Sequence, residues 1–68
     1  MRLSARNILK GRILSVARGA TTSHVRLDVN GVVVTASITN EAVDELGLAV
    51  GQEASAVIKA SDVMIGVG

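Results

Sequence analysis

The sequence predicts an all-β protein, a five-stranded barrel with one short helix between the third and fourth strands. Three observations predict it. Apolar residues recur with a period of two along most of the chain, the signature of half-buried strands. Asn30-Gly31 joins two such runs, and Asn-Gly in that setting is the strongest short hairpin signal because both turn residues take positive φ. One stretch only, Thr39 to Gly47, drops the alternation and carries helix start and stop residues.

The first strand is expected over Ile8 to Ala17, with Leu9, Gly11 and Ile13 on one face; Gly11 inside it suggests a bulge or sharp bend. Arg18 to Thr21 reads as a turn. Thr22 to Val29 follows, with Val25, Leu27 and Val29 on one side and Thr22, His24, Arg26 and Asp28 on the other. After the Asn30-Gly31 turn, Val32, Val34, Ala36 and Ile38 share a face. Thr39 or Asn40 caps the helix, Glu41, Asp44 and Glu45 suit the positive end of its dipole, and Gly47 suits the left-handed position after its last turn. Val43 and Leu46 are expected to plug one end of the core. A turn at Gly51 leads to a fourth strand over Glu53 to Lys59, and Val63 to Val67 reads as a short fifth strand. The order β-β-β-α-β-β is that of an OB-fold barrel. No linker, proline or internal repeat interrupts it, so residues 1–68 are expected to form a single domain.

Composition narrows the function. A 68-residue chain buries only ~60% of its unfolded surface, and small scaffolds need a staple. There is no cysteine and one histidine, which argues against a disulfide framework and a structural zinc site. Yet 49% of the residues are apolar, more than so small an interior holds. The surplus is expected on the surface as patches that mark self-association. Seven cations face six anions and no aromatic residue is present, which argues against a nucleic-acid surface built on charge and base stacking. No apolar segment of leader type begins the chain, and no run approaches the ~20 residues of a membrane span. A cytoplasmic protein is expected, with neither nucleic acid nor membrane as partner.

No catalytic residues are expected. There is no thiol nucleophile, no nucleophile elbow, zinc-protease motif or P-loop, and His24 sits mid-strand on a polar face, where a solvated or interface role fits it. Two short polar islands at opposite ends of the chain remain, Ser4-Ala5-Arg6-Asn7 and Lys59-Ala60-Ser61-Asp62. Each brings one cation, small hydroxyls and backbone N–H groups. Read alone, the first is a solvated arm and the second a strand-to-strand corner. Together, within one chain or across a subunit boundary, they would make a donor-lined cup for a tetrahedral dianion. Arg6 offers a planar fork and Lys59 a mobile point charge. Ser4, Ser61 and Thr39 offer hydroxyl donors, and N–H groups near Ala5, Ala60 and Ser61 an anion nest. Asp62 must point away.

At these residues the chain resembles the molbindins, the Mop family of small molybdenum-pterin-binding-type proteins. The resemblance spans all 68 residues. It is carried by Ser4-Ala5-Arg6-Asn7 before a Lys10-Gly11 strand, by Ile38-Thr39 leading into a helix that ends Glu45-Leu46-Gly47, and by Lys59-Ala60-Ser61-Asp62-Val63-Met64-Ile65. It implies an OB-fold protomer, a hexamer built as a trimer of dimers, and molybdate or tungstate held at subunit interfaces for intracellular storage. No organic cofactor and no directly bound metal ion are expected, since the metal arrives as an oxyanion. The ligands implied are Ser4, Arg6, Thr39, Lys59, Ala60 and Ser61, with Ala5 and Asn7 close by. Ala42 stands where some relatives carry a hydroxyl. A second site class on the symmetry axis is implied, with Gly19, Ala20, Thr21, Thr22 and Ser23 as contributors. Two other readings stay open: an OB-fold nucleic-acid module and a purely structural oligomerisation domain.

Overall fold

The structure is a computed structural model that describes residues 2–68; Met1, the first residue of the expected domain, lies outside the described residues. Four strands form one antiparallel sheet: β1 (Asn7–Arg18), β2 (Thr22–Val29), β3 (Val32–Thr39) and β4 (Glu53–Ile58), in the order β3-β2-β1-β4. One helix, α1 (Asn40–Leu46), stands between β3 and β4. The class is that expected, an OB-fold sheet with its helix after the third strand.

The hairpin turn takes the expected conformation, with Asn30 at φ 50° and Gly31 at φ 89°. The Asp28 carboxylate accepts the Gly31 N–H at 3.0 Å and braces it. Period-two patterning does the rest. On β2, Ser23, Val25 and Leu27 are buried while His24 and Arg26 face out. Val25 and Leu27 meet Ile13 of β1 and Val43 of α1 to form the core, ringed by Val16, Val29, Val34, Ile38, Leu48 and the small Ala54 and Ala56.

Helix α1 starts as its residues dictate: the Thr39 hydroxyl accepts the Ala42 N–H at 3.1 Å. It ends at Gly47, whose φ of 61° is left-handed. Val43 plugs the core as expected, but Leu46 is 64% exposed. Leu48 packs in its place, because the Gly47 turn reverses the chain and the Leu48 N–H donates to the Val43 carbonyl at 3.1 Å.

Two further expectations are corrected. The irregularity of β1 lies between Ile13 and Ser15, where the pairing with β2 shifts register, and not at Gly11. Gly11 answers a different need, close approach of two backbones. A Cβ there would stand 2.9 Å from the Asp28 carbonyl carbon, 3.0 Å from Val29 Cγ2, and closer still to the Asp28 oxygen. Backbone atoms paired in a ladder cannot step aside. Gly11→Ala is therefore expected to destabilise the fold by ~1–3 kcal/mol, read as a lower urea midpoint; an unchanged midpoint would show that β1 and β2 have room to part here.

The second correction concerns the fifth strand. The chain leaves β4 through a 3₁₀ turn, Ala60–Asp62, and Val63 to Val67 forms no strand. A strand exists by its ladder partner, and this segment has none among the described residues. Met64, Ile65 and Val67 are 93%, 89% and 99% exposed. The sheet accordingly has four strands, not five, and β3 and β4 are its edges.

Candidate functional site

The polar islands meet within one chain. Strand β1 opens at Asn7, β4 closes at Ile58, and these two residues are ladder partners. The residues just before Asn7 and just after Ile58 therefore emerge side by side at one end of the β1–β4 pair. The Asn7 side-chain amide donates to the Ile58 carbonyl at 3.2 Å and ties this rung, so it holds the junction together. Ser4, Arg6, Lys59, Ala60 and Ser61 are exposed and Ala5 is half-buried.

Three cations elsewhere on the sheet are engaged, whereas Arg6 and Lys59, like Arg2 and Arg26, have no ion-pair partner among the described residues. Among the described residues Lys10 pairs with Glu53 at 3.5 Å and Arg18 with Asp44 at 2.9 Å, and Arg12 donates to the Gly51 carbonyl at 2.9 Å. Neither Arg6 nor Lys59 has a carboxylate within ion-pair range among the described residues. Asp62 pairs with neither; its backbone N–H donates to the Lys59 carbonyl at 2.9 Å and closes the 3₁₀ turn. The first N–H groups of a helical turn have no acceptor inside it, which leaves those of Ala60 and Ser61 available beside the two charges.

Thr39 does not join this junction. It ends β3, opposite Thr22, beside the Arg18 end of β1. The islands lie at the Asn7 end of that same twelve-residue strand. The Thr39 hydroxyl is exposed. Its oxygen accepts from Ala42, so its own proton remains free to donate. The dipole argument for anion binding at this position carries little, because α1 has only seven residues.

The second candidate set, residues 19–23, is the β1–β2 connection beside Thr39. Ala17, Arg18, Gly19, Thr22 and His24 line a shallow hollow there of about 290 Å³. The Arg18 guanidinium is occupied: it bonds both Asp44 oxygens, at 2.9 and 3.3 Å. This hydrogen bonding, then the charge attraction, lowers the Asp44 carboxyl from its ordinary value and raises Arg18. The pair is exposed, and such pairs contribute little to stability. Ser23 is fully buried and its hydroxyl donates to Asn40 Oδ1 at 2.5 Å, so it presents no surface to an ion. Sequence reading weighed Asn40 only as a helix cap. A poor helix former just inside a helix that Thr39 already caps was the available signal. Among the described residues no group of three or more His, Cys, Asp or Glu is placed to hold a metal ion, and no helix is long and apolar enough to cross a membrane.

A small OB-fold sheet with an unneutralised pair of cations and free amide donors at one end defines a class of anion-binding module. The chain belongs to the TOBE domain family, whose pattern matches residues 3–65. It is 46% identical over 68 residues to a probable molybdenum-pterin-binding protein of Haemophilus influenzae, covering 98% of this chain and 99% of that one. Among solved structures, MopII from Clostridium pasteurianum superposes with a TM-score of 0.91 at 40% identity, over 97% of this chain and 100% of its own. The cytoplasmic molybdate-binding protein ModG, solved with molybdate bound, superposes with a TM-score of 0.94 at 51% identity, over all of this chain and 49% of its own. The resemblance to the Mop proteins read from the islands is thus met by sequence and by fold.

Proposed function

We propose that this chain captures molybdate reversibly, as a binding and storage protein that performs no chemistry on its cargo. The carrying observation is that Arg6 and Lys59 emerge side by side beyond the Asn7–Ile58 rung, with no carboxylate in ion-pair range among the described residues. A dianion there receives one guanidinium fork, one ammonium, the hydroxyls of Ser4 and Ser61, and the N–H groups of Ala60 and Ser61. Ala5 and Asn7 shape the junction without charge. Tungstate has the same charge and shape and is expected to compete. The names of the relatives and of the superposed structures support molybdate over other dianions.

The site is completed by a second copy. Thr39 lies at the other end of β1, so a protomer's Thr39 serves a neighbour's islands. Self-association is further supported by the exposed aliphatic side chains, including Ile8, Val57, Met64 and Ile65. The assembly in this reading is a hexamer, a trimer of dimers working in the cytoplasm, and the 19–23 loop borders a second, axial site through its backbone and Thr22. The whole 68-residue chain acts as one such domain.

Native mass spectrometry with and without molybdate tests the reading. The expected result is one hexameric species that gains discrete molybdate masses, with none retained by any monomer. A monomer that takes up molybdate by itself, or a hexamer that takes up none, would overturn it.

A further inference from the structure

We infer that Asn40 is a positioning residue for the oxyanion site, its side chain knotting the 19–23 loop to the start of α1 and thereby holding the Thr39 hydroxyl where a bound ion meets it. This rests on the function proposed above. Three bonds converge on this one residue. Its Oδ1 accepts from the buried Ser23 hydroxyl at 2.5 Å. Its Nδ2 donates to the Gly19 carbonyl at 3.0 Å. Its backbone N–H donates to the Thr21 carbonyl at 3.0 Å. The loop is pulled tight beneath it by the Gly19 N–H donating to the Thr22 carbonyl at 2.7 Å.

None of these bonds is needed to start the helix, because Thr39 already caps it. What they fix is the backbone immediately after Thr39 and the loop strand opposite it. The cap bond from Ala42 then sets the Thr39 side-chain oxygen, and its O–H is left free to turn toward an acceptor. A hydrogen bond weakens steeply as distance and angle depart from their optimum, so a hydroxyl donor is worth most when backbone and rotamer are both held. The chain meets that condition with one asparagine and one buried serine. The same knot joins the two candidate sites, since Gly19 and Thr21 belong to the second and Thr39 to the first.

The test is a mutant cycle on the assembled protein, read as the molybdate Kd by isothermal titration and, separately, as the thermal midpoint. Asn40→Ala is expected to raise the Kd about tenfold, and Thr39→Val by at least as much. The double variant is expected to bind no more weakly than Thr39→Val alone, because Asn40 acts through that hydroxyl. Val29→Ala, remote from the knot, serves as a control for lost stability and is expected to lower the midpoint while leaving the Kd unchanged. Ser23→Ala, which unties one bond and keeps Asn40, is expected to raise the Kd by a smaller factor and stands in if Asn40→Ala does not assemble. The inference is overturned if the Asn40 and Thr39 effects multiply, if Asn40→Ala and Ser23→Ala lower the midpoint without touching the Kd, or if Thr39→Val binds as the wild type does. Should the wild-type assembly take up no molybdate at all, the proposed function itself fails, a result distinct from these.

Discussion

Replacing Arg6 and Lys59 together by alanine is expected to weaken molybdate binding by about two to three orders of magnitude while leaving the assembly intact. A hydrogen bond to a charged group contributes ~1.5–3 kcal/mol, and each 1.4 kcal/mol is tenfold in Kd. Both groups are exposed, so each contributes near the lower end of that range, and removing the two removes about 3–4 kcal/mol from a site whose other donors are neutral. The loss falls on binding because both side chains are exposed and neither is paired with a carboxylate among the described residues. Arg6→Lys separates charge from shape: it keeps the charge and loses the planar fork, and is expected to cost about tenfold. Titration calorimetry with a gel-filtration check of assembly reads both. Wild-type affinity in an intact R6A/K59A assembly would place the ion elsewhere on the molecule.

Ile13→Ala is expected to bring the fold close to its limit of stability. Ile13 is 2% exposed and belongs to a buried core that, among the described residues, otherwise holds Val25, Leu27 and Val43. Its backbone is also anchored on both sides of the connector, with its N–H donating to the Gln52 carbonyl at 2.9 Å and its carbonyl accepting from Gly51 at 2.8 Å. The neighbours thus cannot collapse freely into the space left. Truncation of a buried Ile costs ~2–5 kcal/mol, against ~3–10 kcal/mol for a chain of this size. Urea denaturation should show the midpoint falling by a third or more. Ile8→Ala makes the contrast: the side chain is 49% exposed in the protomer, and its truncation is expected to affect assembly more than the protomer's own fold. A small shift for Ile13→Ala would mean that the core is not centred on β1.

How far the sequence is legible depends on the range of the interaction that decides each feature. Local chemistry was readable. The Asn30-Gly31 turn, a cap at Thr39 (one of two candidates), the Gly47 stop and the inward face of β2 stand where the residues imply, because each is settled by φ preferences, a neighbouring N–H or a period of two; on β3, Val34 and Ile38 reach the core while Val32 and Ala36 of the same expected face are exposed. The meaning of Gly11 was not readable. A strand glycine serves a bulge or a close approach equally well, and only the position of the Asp28 carbonyl distinguishes them. The roles of Leu46 and Leu48 could not be separated either. Both flank the helix stop, and the direction of the chain after Gly47 decides which reaches the core. Val63 to Val67 has strand composition, but composition does not supply a ladder partner.

The candidate site divides along the same line. The residue types were legible in the primary structure: two islands rich in donors, each with one cation, in a chain without aromatics, cysteines or a catalytic constellation. That the islands emerge beside one rung, Asn7–Ile58, that Thr39 stands at the far end of β1, and that Asn40 ties the neighbouring loop to it are consequences of strand pairing. The sequence by itself determined the turns, the helix ends, the alternating face of β2 and the donor-rich residue types of the two islands, because those follow from single residues and their immediate neighbours. The tertiary structure alone decided which serine is buried and which distant segments emerge side by side, because these depend on residues up to 51 positions apart that only the β1–β4 and β2–β3 ladders bring together.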